Sequence, residues 1–208
     1  MVKYLLFDLD HTLYSSKYKL EENVRRRIQE YLAKFLGLSV EDAWKQRADK
    51  MHLYGTCLEW LLAEKNFSDI EDYLAAVHPQ GEADALAPDP ELRKFLESIK
   101  IPKAILTNSP REHADLVLGK LRFEGLFSHI IDIRMCNFIG KPHPDAFNKA
   151  AGILGTDIEQ ILFIDDVPRY VEGFIRLGGK GILYDENNLH TDFQYPRIQR
   201  LQELTANL

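Results

Sequence analysis

Acidic and hydroxyl side chains in this sequence stand directly after short apolar runs. Asp8 closes KYLLFD, with Asp10 and Thr12 just beyond it; Thr107 and Asn108 follow KAIL; Asp165 and Asp166 follow QILFI. Lys141 sits between Gly140 and Pro142. If these runs lie side by side, four carboxylates, one ammonium and several hydroxyl and amide groups meet at one edge. Carboxylates that close repel one another unless a cation joins them. Mg²⁺ is the natural choice, since it takes one or two carboxylates plus waters and a substrate phosphate. Thr107, the amides after it and Lys141 would then face phosphate oxygens. A carboxylate there can also act as a nucleophile and form an aspartyl-phosphate, helped by the surrounding positive charge.

The runs themselves must supply the edge. Residues 3–8, 103–107 and 160–165 are continuous apolar stretches, which suggests strands buried on both faces of a parallel sheet. HIIDI (129–133) and KGILYD (180–185) are two further strands of the same kind. Helical patterns separate them. Ser109, Pro110 and Glu112 read as an N-cap, a first helical residue and a capping box. Pro144 opens another helix, and residues 168–177 form one more. Strand alternating with helix implies right-handed crossovers and a doubly wound α/β sheet, whose strand ends are where ligands bind.

The stretch 15–87 breaks this rhythm. Leu20, Val24, Ile28, Leu32 and Phe35 fall at helical spacing, Gly37 fits a C-cap, and Ser39 and Ser68 look like fresh helix starts. The expected organisation is a core of residues 1–14 and 88–208, with a small helical cap at 15–87. GEADALAPDP (81–90) serves as the linker back to the core. Trp44 and Trp60 are expected in the core of the helical part.

The rest of the composition narrows the class. Among 208 residues, 26 are basic and 32 acidic, giving a net charge of −6. That balance disfavours binding to a nucleic acid polymer or an anionic membrane. Two cysteines, Cys57 and Cys136, are too few for a disulfide scaffold and have no zinc spacing. No apolar run approaches the ~20 residues of a membrane helix, and the start of the chain lacks a signal-peptide pattern, so a cytoplasmic protein is expected.

Taken together, FDLDHTL, ILTN, the lysine of GKPHPDAF and FIDD resemble, in order, the four motifs of the haloacid dehalogenase (HAD) superfamily of phosphohydrolases. The resemblance implies a HAD-like, Rossmann-type core and an aspartyl-phosphate mechanism on a small phosphorylated metabolite. It makes Asp8 the nucleophile and Asp10 the general acid, then base, with a raised pKa expected from the crowd of carboxylates. Thr107, Asn108 and Lys141 would hold the phosphoryl group. Mg²⁺ would be held by the Asp8 side chain, the Asp10 backbone carbonyl and Asp166, with Asp165 acting through a water.

DLD-x-TLYSS, TNSP, KPHPDAF and FIDD further resemble the pyrimidine 5′-nucleotidase branch, in which Tyr14 and residues near HLYGT, including Tyr54, would face the substrate. Two features depart from the pattern. His11 stands where that branch usually has Asn and the wider family Gly. Val167 and Tyr170 occupy places where the family often has Ser and Asn, which bears on metal affinity and rate. Three other functions compete. A phosphosugar phosphatase or mutase would need a sugar-specific cap. A 2-haloacid dehalogenase would use the same nucleophile on carbon but has no use for Asp10 or Mg²⁺. A non-catalytic binding module would have no need of both Asp8 and Asp10.

Overall fold

A computed structural model describes residues 1–207. In chain order, β1 (Tyr4–Phe7) leads to four helices: α1 (Leu20–Leu36), α2 (Val40–Lys50), α3 (Cys57–Glu64) and α4 (Ile70–Val77). The chain returns through α5 (Pro90–Ser98), β2 (Lys103–Leu106), α6 (Arg111–Leu121) and β3 (His129–Ile131). It closes with α7 (Pro144–Leu154), β4 (Ile161–Asp165), α8 (Pro168–Arg176), β5 (Lys180–Tyr184) and β6 (Arg197–Ile198). The sheet runs β3-β2-β1-β4-β5-β6, and every pairing is parallel.

Alternation along the strands divides the apolar side chains between two layers. Leu5, Phe7, Ile105, Leu162 and Ile164 face one way and pack against α5 and α6. Leu6, Ala104, Leu106, Ile161 and Phe163 face the other way, against α7 and α8. The fold is therefore the expected doubly wound α/β sheet. Phe147, Phe163 and Phe174 knit the second layer, with ring centroids 5.2–5.4 Å apart. Gly179 and Gly181 let α8 come close, since a Cβ would stand 2.2 Å from the Phe174 ring and 2.7 Å from Val171.

The helices inserted after β1 bury a cluster of their own around Leu32, Ala43, Leu58, Trp60, Leu61 and Leu74. Trp60 is fully buried there, whereas Trp44 is half-buried and lies under the Arg47 guanidinium, 4.3 Å from the ring centroid. Gly37 ends α1 in the left-handed conformation, at φ +64°. Ser39 caps α2 and Thr56 caps α3.

Three local expectations are corrected. Helix α6 starts one residue late, after Pro110, and its first amide is capped from a distance: Arg111 N–H donates to Asp132, 3.1 Å away. Asp132 is thereby drawn out of the strand expected at 129–133, leaving His129–Ile131. Helix α4 starts at Ile70 behind Asp69, not at Ser68. The two-residue β6 is too short for any hydropathy pattern to mark. Both cysteines are buried and free. Among the described residues, no helix is long and apolar enough to cross a membrane.

Candidate active site

Register brings the site together. Phe7 pairs with Ile105 on one side and Ile164 on the other. Asp8, the residue just after β1, therefore follows level with Leu106 and Asp165. Asp8 N–H donates to the Ile164 carbonyl at 2.8 Å, and Thr107 N–H donates to the Ile131 carbonyl at 3.0 Å. Asp8, Thr107 and Asp165 are thus fixed at the carboxyl ends of adjacent strands, all buried.

Lys141 joins them from the loop before α7. Its Nζ donates to Asp8 at 2.6 Å and to Asp165 at 2.7 Å, and it is almost wholly buried. Burial works against the ammonium, but Asp165 and Asp8 hold it above the ordinary lysine range. One cation faces three carboxylates here. Burial pushes Asp8 up despite Lys141, and Asp165 and Asp10 add to the rise. Asp166 is raised by burial and then by Asp165 and Asp8. The ligand atoms of Asp8, Asp165 and Asp166 lie within 4.8 Å of one another. Hard oxygen donors with excess negative charge, so closely set, fit a divalent cation of the Mg²⁺ kind.

Asn108 lies on the cavity wall with its side chain engaged by the Lys141 backbone. Its Oδ1 accepts from Lys141 N–H at 2.8 Å and its Nδ2 donates to the Lys141 carbonyl at 3.1 Å, so it clamps the lysine's backbone. Thr107 Oγ1 accepts from Ser109 N–H at 3.0 Å. Tyr170 covers the lysine, its ring centroid 5.3 Å from Nζ. At Val167 the backbone supplies the contact, N–H donating to Asp165 at 2.8 Å.

Asp10 departs most from expectation. It takes no raised pKa from the neighbouring carboxylates, because its side chain turns toward donors. The hydroxyls of Tyr14 (2.6 Å) and Ser109 (3.1 Å) donate to it, and His113 Nε2 stands 2.7 Å from Oδ1. Burial alone would raise this carboxyl, but the His113 imidazole and the Tyr14 hydroxyl hold it well below the usual range. His113 moves the other way: burial opposes its charge, yet Asp10 and Glu82 push it to about 10. No motif singled out His113; its only sequence trace is a histidine among the apolar residues of α6.

Tyr14 is therefore buried on Asp10 rather than open to the cavity. Tyr54 donates to Glu64 at 3.0 Å and is not on the cavity wall. The HLYGT segment reaches the site through Gly55 and Thr56 instead. A Cβ on Gly55 would stand 2.7 Å from the carbonyl oxygens of Gly140 and Lys141. His11 adopts φ +58°, a left-handed geometry in which Gly or Asn is easiest and His is tolerated. Its Nδ1 lies 3.0 Å from Glu21 and 3.9 Å from Asp166.

A cavity of about 210 Å³ opens over these groups. Asp8, Asp10, Thr107, Lys141 and Asp166 form its floor, and the inserted helices roof it with Val24, Ile28, Arg47, Leu58, Leu74 and His78.

A family model for haloacid dehalogenase-like hydrolases matches residues 2–178. A validoxylamine A 7′-phosphate phosphatase of Streptomyces hygroscopicus subsp. limoneus is 27% identical over 191 residues, covering 86% of this chain and 83% of that protein. Phosphate metabolism protein 8 of Saccharomyces cerevisiae is 26% identical over 210 residues, covering 93% of this chain and 63% of that longer protein. Among solved structures, a HAD phosphatase from Thermococcus onnurineus superposes with a TM-score of 0.64 at 20% identity, covering 99% of this chain and 97% of that one. An L-2-haloacid dehalogenase from Xanthobacter autotrophicus superposes with a TM-score of 0.63 at 15% identity, covering 99% and 98%. These two likenesses concern the fold.

Proposed function

The chain belongs to the haloacid dehalogenase-like hydrolases, and from that premise we propose that it is a Mg²⁺-dependent phosphomonoesterase acting through an aspartyl-phosphate on a small phosphorylated metabolite. The observation that carries this reading is the meeting of Asp8 and Lys141, 2.6 Å apart, on the floor of one cavity beside Thr107 and Asp166, with Asp165 buried behind them 2.7 Å from the lysine. A relative named as a phosphatase, at 27% identity, supports phosphate-ester hydrolysis.

Asp8 Oδ attacks phosphorus; the Asp8–phosphorus bond forms as the bond to the leaving oxygen breaks. Lys141 and Thr107 face the phosphoryl oxygens and offset the charge that develops there. The leaving oxygen must gain a proton, and the 2.7 Å Asp10–His113 contact is where the site holds one. In the second half, a water oxygen bonds to phosphorus, Asp8 is released, and the ionised Asp10 draws off the water's proton. Mg²⁺, held by Asp8, Asp166, the Asp10 carbonyl and, through a water, Asp165, would supply charge neutralisation between nucleophile and phosphate.

Residues 15–87 act in this reading as a cap over residues 1–14 and 88–208. The cavity lies below the roughly 300–1,000 Å³ usual for ligand pockets, so with the cap in this position compact esters fit best. A pyrimidine nucleoside monophosphate is the largest substrate the reading includes. Asp10 favours phosphate esters over 2-haloacids, because carbon–halogen cleavage needs no leaving-group proton. The test is phosphate release across short-chain, sugar and nucleoside phosphates, with Mg²⁺ or with EDTA. Activity that needs Mg²⁺ and vanishes in Asp8→Asn supports the proposal; metal-independent turnover or an active Asp8→Asn contradicts it. Isomerised sugar phosphate in place of free phosphate would identify a mutase.

A further inference from the structure

We infer that His113, locked by Glu82, is the positioning residue that aims the Asp10 carboxyl at the leaving oxygen, and that the inserted helices set this aim. The inference rests on the phosphomonoesterase reading above and extends it to residues outside the four motifs.

His113 is fully buried on α6 and does not line the cavity. Both ring nitrogens are engaged: Nε2 is 2.7 Å from Asp10 Oδ1, and Nδ1 is 2.6 Å from Glu82 Oε1. An imidazole held at both ends cannot turn without losing a buried contact, so it fixes the Asp10 oxygen it touches. Tyr14 and Ser109 hold Asp10 too, and Ser109, like His113, reaches it from the segment after β2. His113 is the one of the three whose second contact runs on to Glu82.

Glu82 is the junction. Its side chain is completely buried, in the linker between the helical insertion and the core. Oε1 also meets His78 Nδ1 at 3.1 Å, and Oε2 accepts from Arg27 at 2.6 Å. Arg27 lies on α1 and donates as well to the Val77 carbonyl at the end of α4, 2.6 Å away. A continuous path therefore runs from α1 and α4, through Glu82 and His113, to Asp10. His78, which branches from the path at Glu82, and Asp10, where the path ends, both line the cavity. His78, Glu82 and His113 have the proximity of metal ligands. Yet His113 has no free ring nitrogen and Arg27 places a guanidinium on Glu82, which fits a hydrogen-bonded network better than a cation site.

The experiment compares two esters that differ in their need for a leaving-group proton: p-nitrophenyl phosphate, whose phenolate leaves unaided, and an alkyl phosphate, whose alkoxide does not. Variants are His113→Leu, Glu82→Gln, His113→Gln and, as reference, Asp10→Asn. Read as the single-turnover rate of leaving-group release, which precedes the hydrolysis step the two esters share, His113→Leu should lower the rate on the alkyl ester by about 100-fold or more and on p-nitrophenyl phosphate by less than about fivefold. Glu82→Gln should act in the same direction, and the double variant should be no worse than His113→Leu alone, as expected of residues acting in series. His113→Gln, which keeps a donor for Asp10, should recover part of the alkyl activity.

Equal losses in the release rate of the two leaving groups, in His113→Leu and also in Glu82→Gln, would overturn the inference. So would normal alkyl turnover in His113→Leu. If Asp10→Asn shows the ester-dependent loss and the His113 and Glu82 variants do not, the positioning role fails and the phosphomonoesterase reading stands. If Asp10→Asn affects neither ester, the acid role itself fails and the inference with it.

Discussion

Lys141 is the residue on which the balance of charge at the sheet edge turns. Its Nζ lies 2.6 Å from Asp8 and 2.7 Å from Asp165, with both carboxylates and the ammonium buried. Lys141→Met keeps an unbranched apolar stem and removes the ammonium, which lies 5.5 and 5.3 Å from the Phe163 and Tyr170 ring centroids. Gross attraction at these distances is about 6 kcal/mol per pair at an effective dielectric of 20, an upper bound before desolvation. Breaking a buried pair from one side typically costs about 3–5 kcal/mol. For a chain of this size that corresponds to a fall of roughly 6–20 °C in Tm. The assay is thermal unfolding at pH 7 in EDTA, repeated in excess Mg²⁺. Lys141→Met should lose this stability in EDTA, and Mg²⁺ should restore a large part of it, because a divalent cation offsets the same carboxylates. Lys141→Met/Asp165→Asn should also lie well above Lys141→Met. A single variant within about 2 °C of the parent chain in EDTA would refute the reasoning, for then the carboxylates do not depend on the lysine.

Three further outcomes follow from packing and electrostatics. Gly55→Ala drives a methyl into the backbone of Gly140 and Lys141 and displaces the lysine's loop; kcat/KM should fall by about 10–100-fold, and unchanged kinetics would show that the contact does not matter. Phe174→Ala opens the three-ring cluster under the sheet and should cost about 3–5 kcal/mol in urea unfolding. Asp185 is buried and accepts from the amides of Leu189 (2.8 Å) and His190 (2.9 Å) and from Arg197 (2.6 Å); burial would raise its carboxyl, but these donors hold it below the ordinary value. A depressed carboxyl stabilises the fold above its unfolded pKa, near 4, and loses that contribution as pH falls through the folded value. Asp185→Asn should therefore be less stable by about 1–3 kcal/mol at pH 7 and flatter in its acid-side stability profile, measured by urea unfolding from pH 7 to pH 3.

What the sequence disclosed, and what it hid, follows from the range of the interactions. Strands β1, β2 and β4 are buried on both faces, so they appear as unbroken apolar runs, and the polar residue ending each run is the one that register brings to the sheet edge. Asp8, Thr107 and Asp165 were legible for that reason. Helix ends fixed by near neighbours, such as Ser39 and Gly37, were legible too. Helix α6 was misread by one residue because its cap comes from Asp132, 21 positions away. The environment of Asp10 was misread for the same kind of reason. The meeting of strand ends at one edge suggested crowding by carboxylates, whereas the side chain turns to His113, 103 residues distant. Tyr14 and Tyr54 have the right residue type, but Asp10 and Glu64 take their hydroxyls, and no periodicity encodes that choice.

The central claim is that Asp8 becomes phosphorylated during turnover. Its most direct test is an acid-quenched single turnover with a radiolabelled phosphate ester and Mg²⁺, in an Asp10→Asn background in which breakdown of the intermediate is slowed. The account predicts acid-stable, base-labile label on the peptide that contains Asp8, and none in the Asp8→Asn/Asp10→Asn variant. Phosphate released at full rate with no labelled protein, or label on another residue, would contradict it.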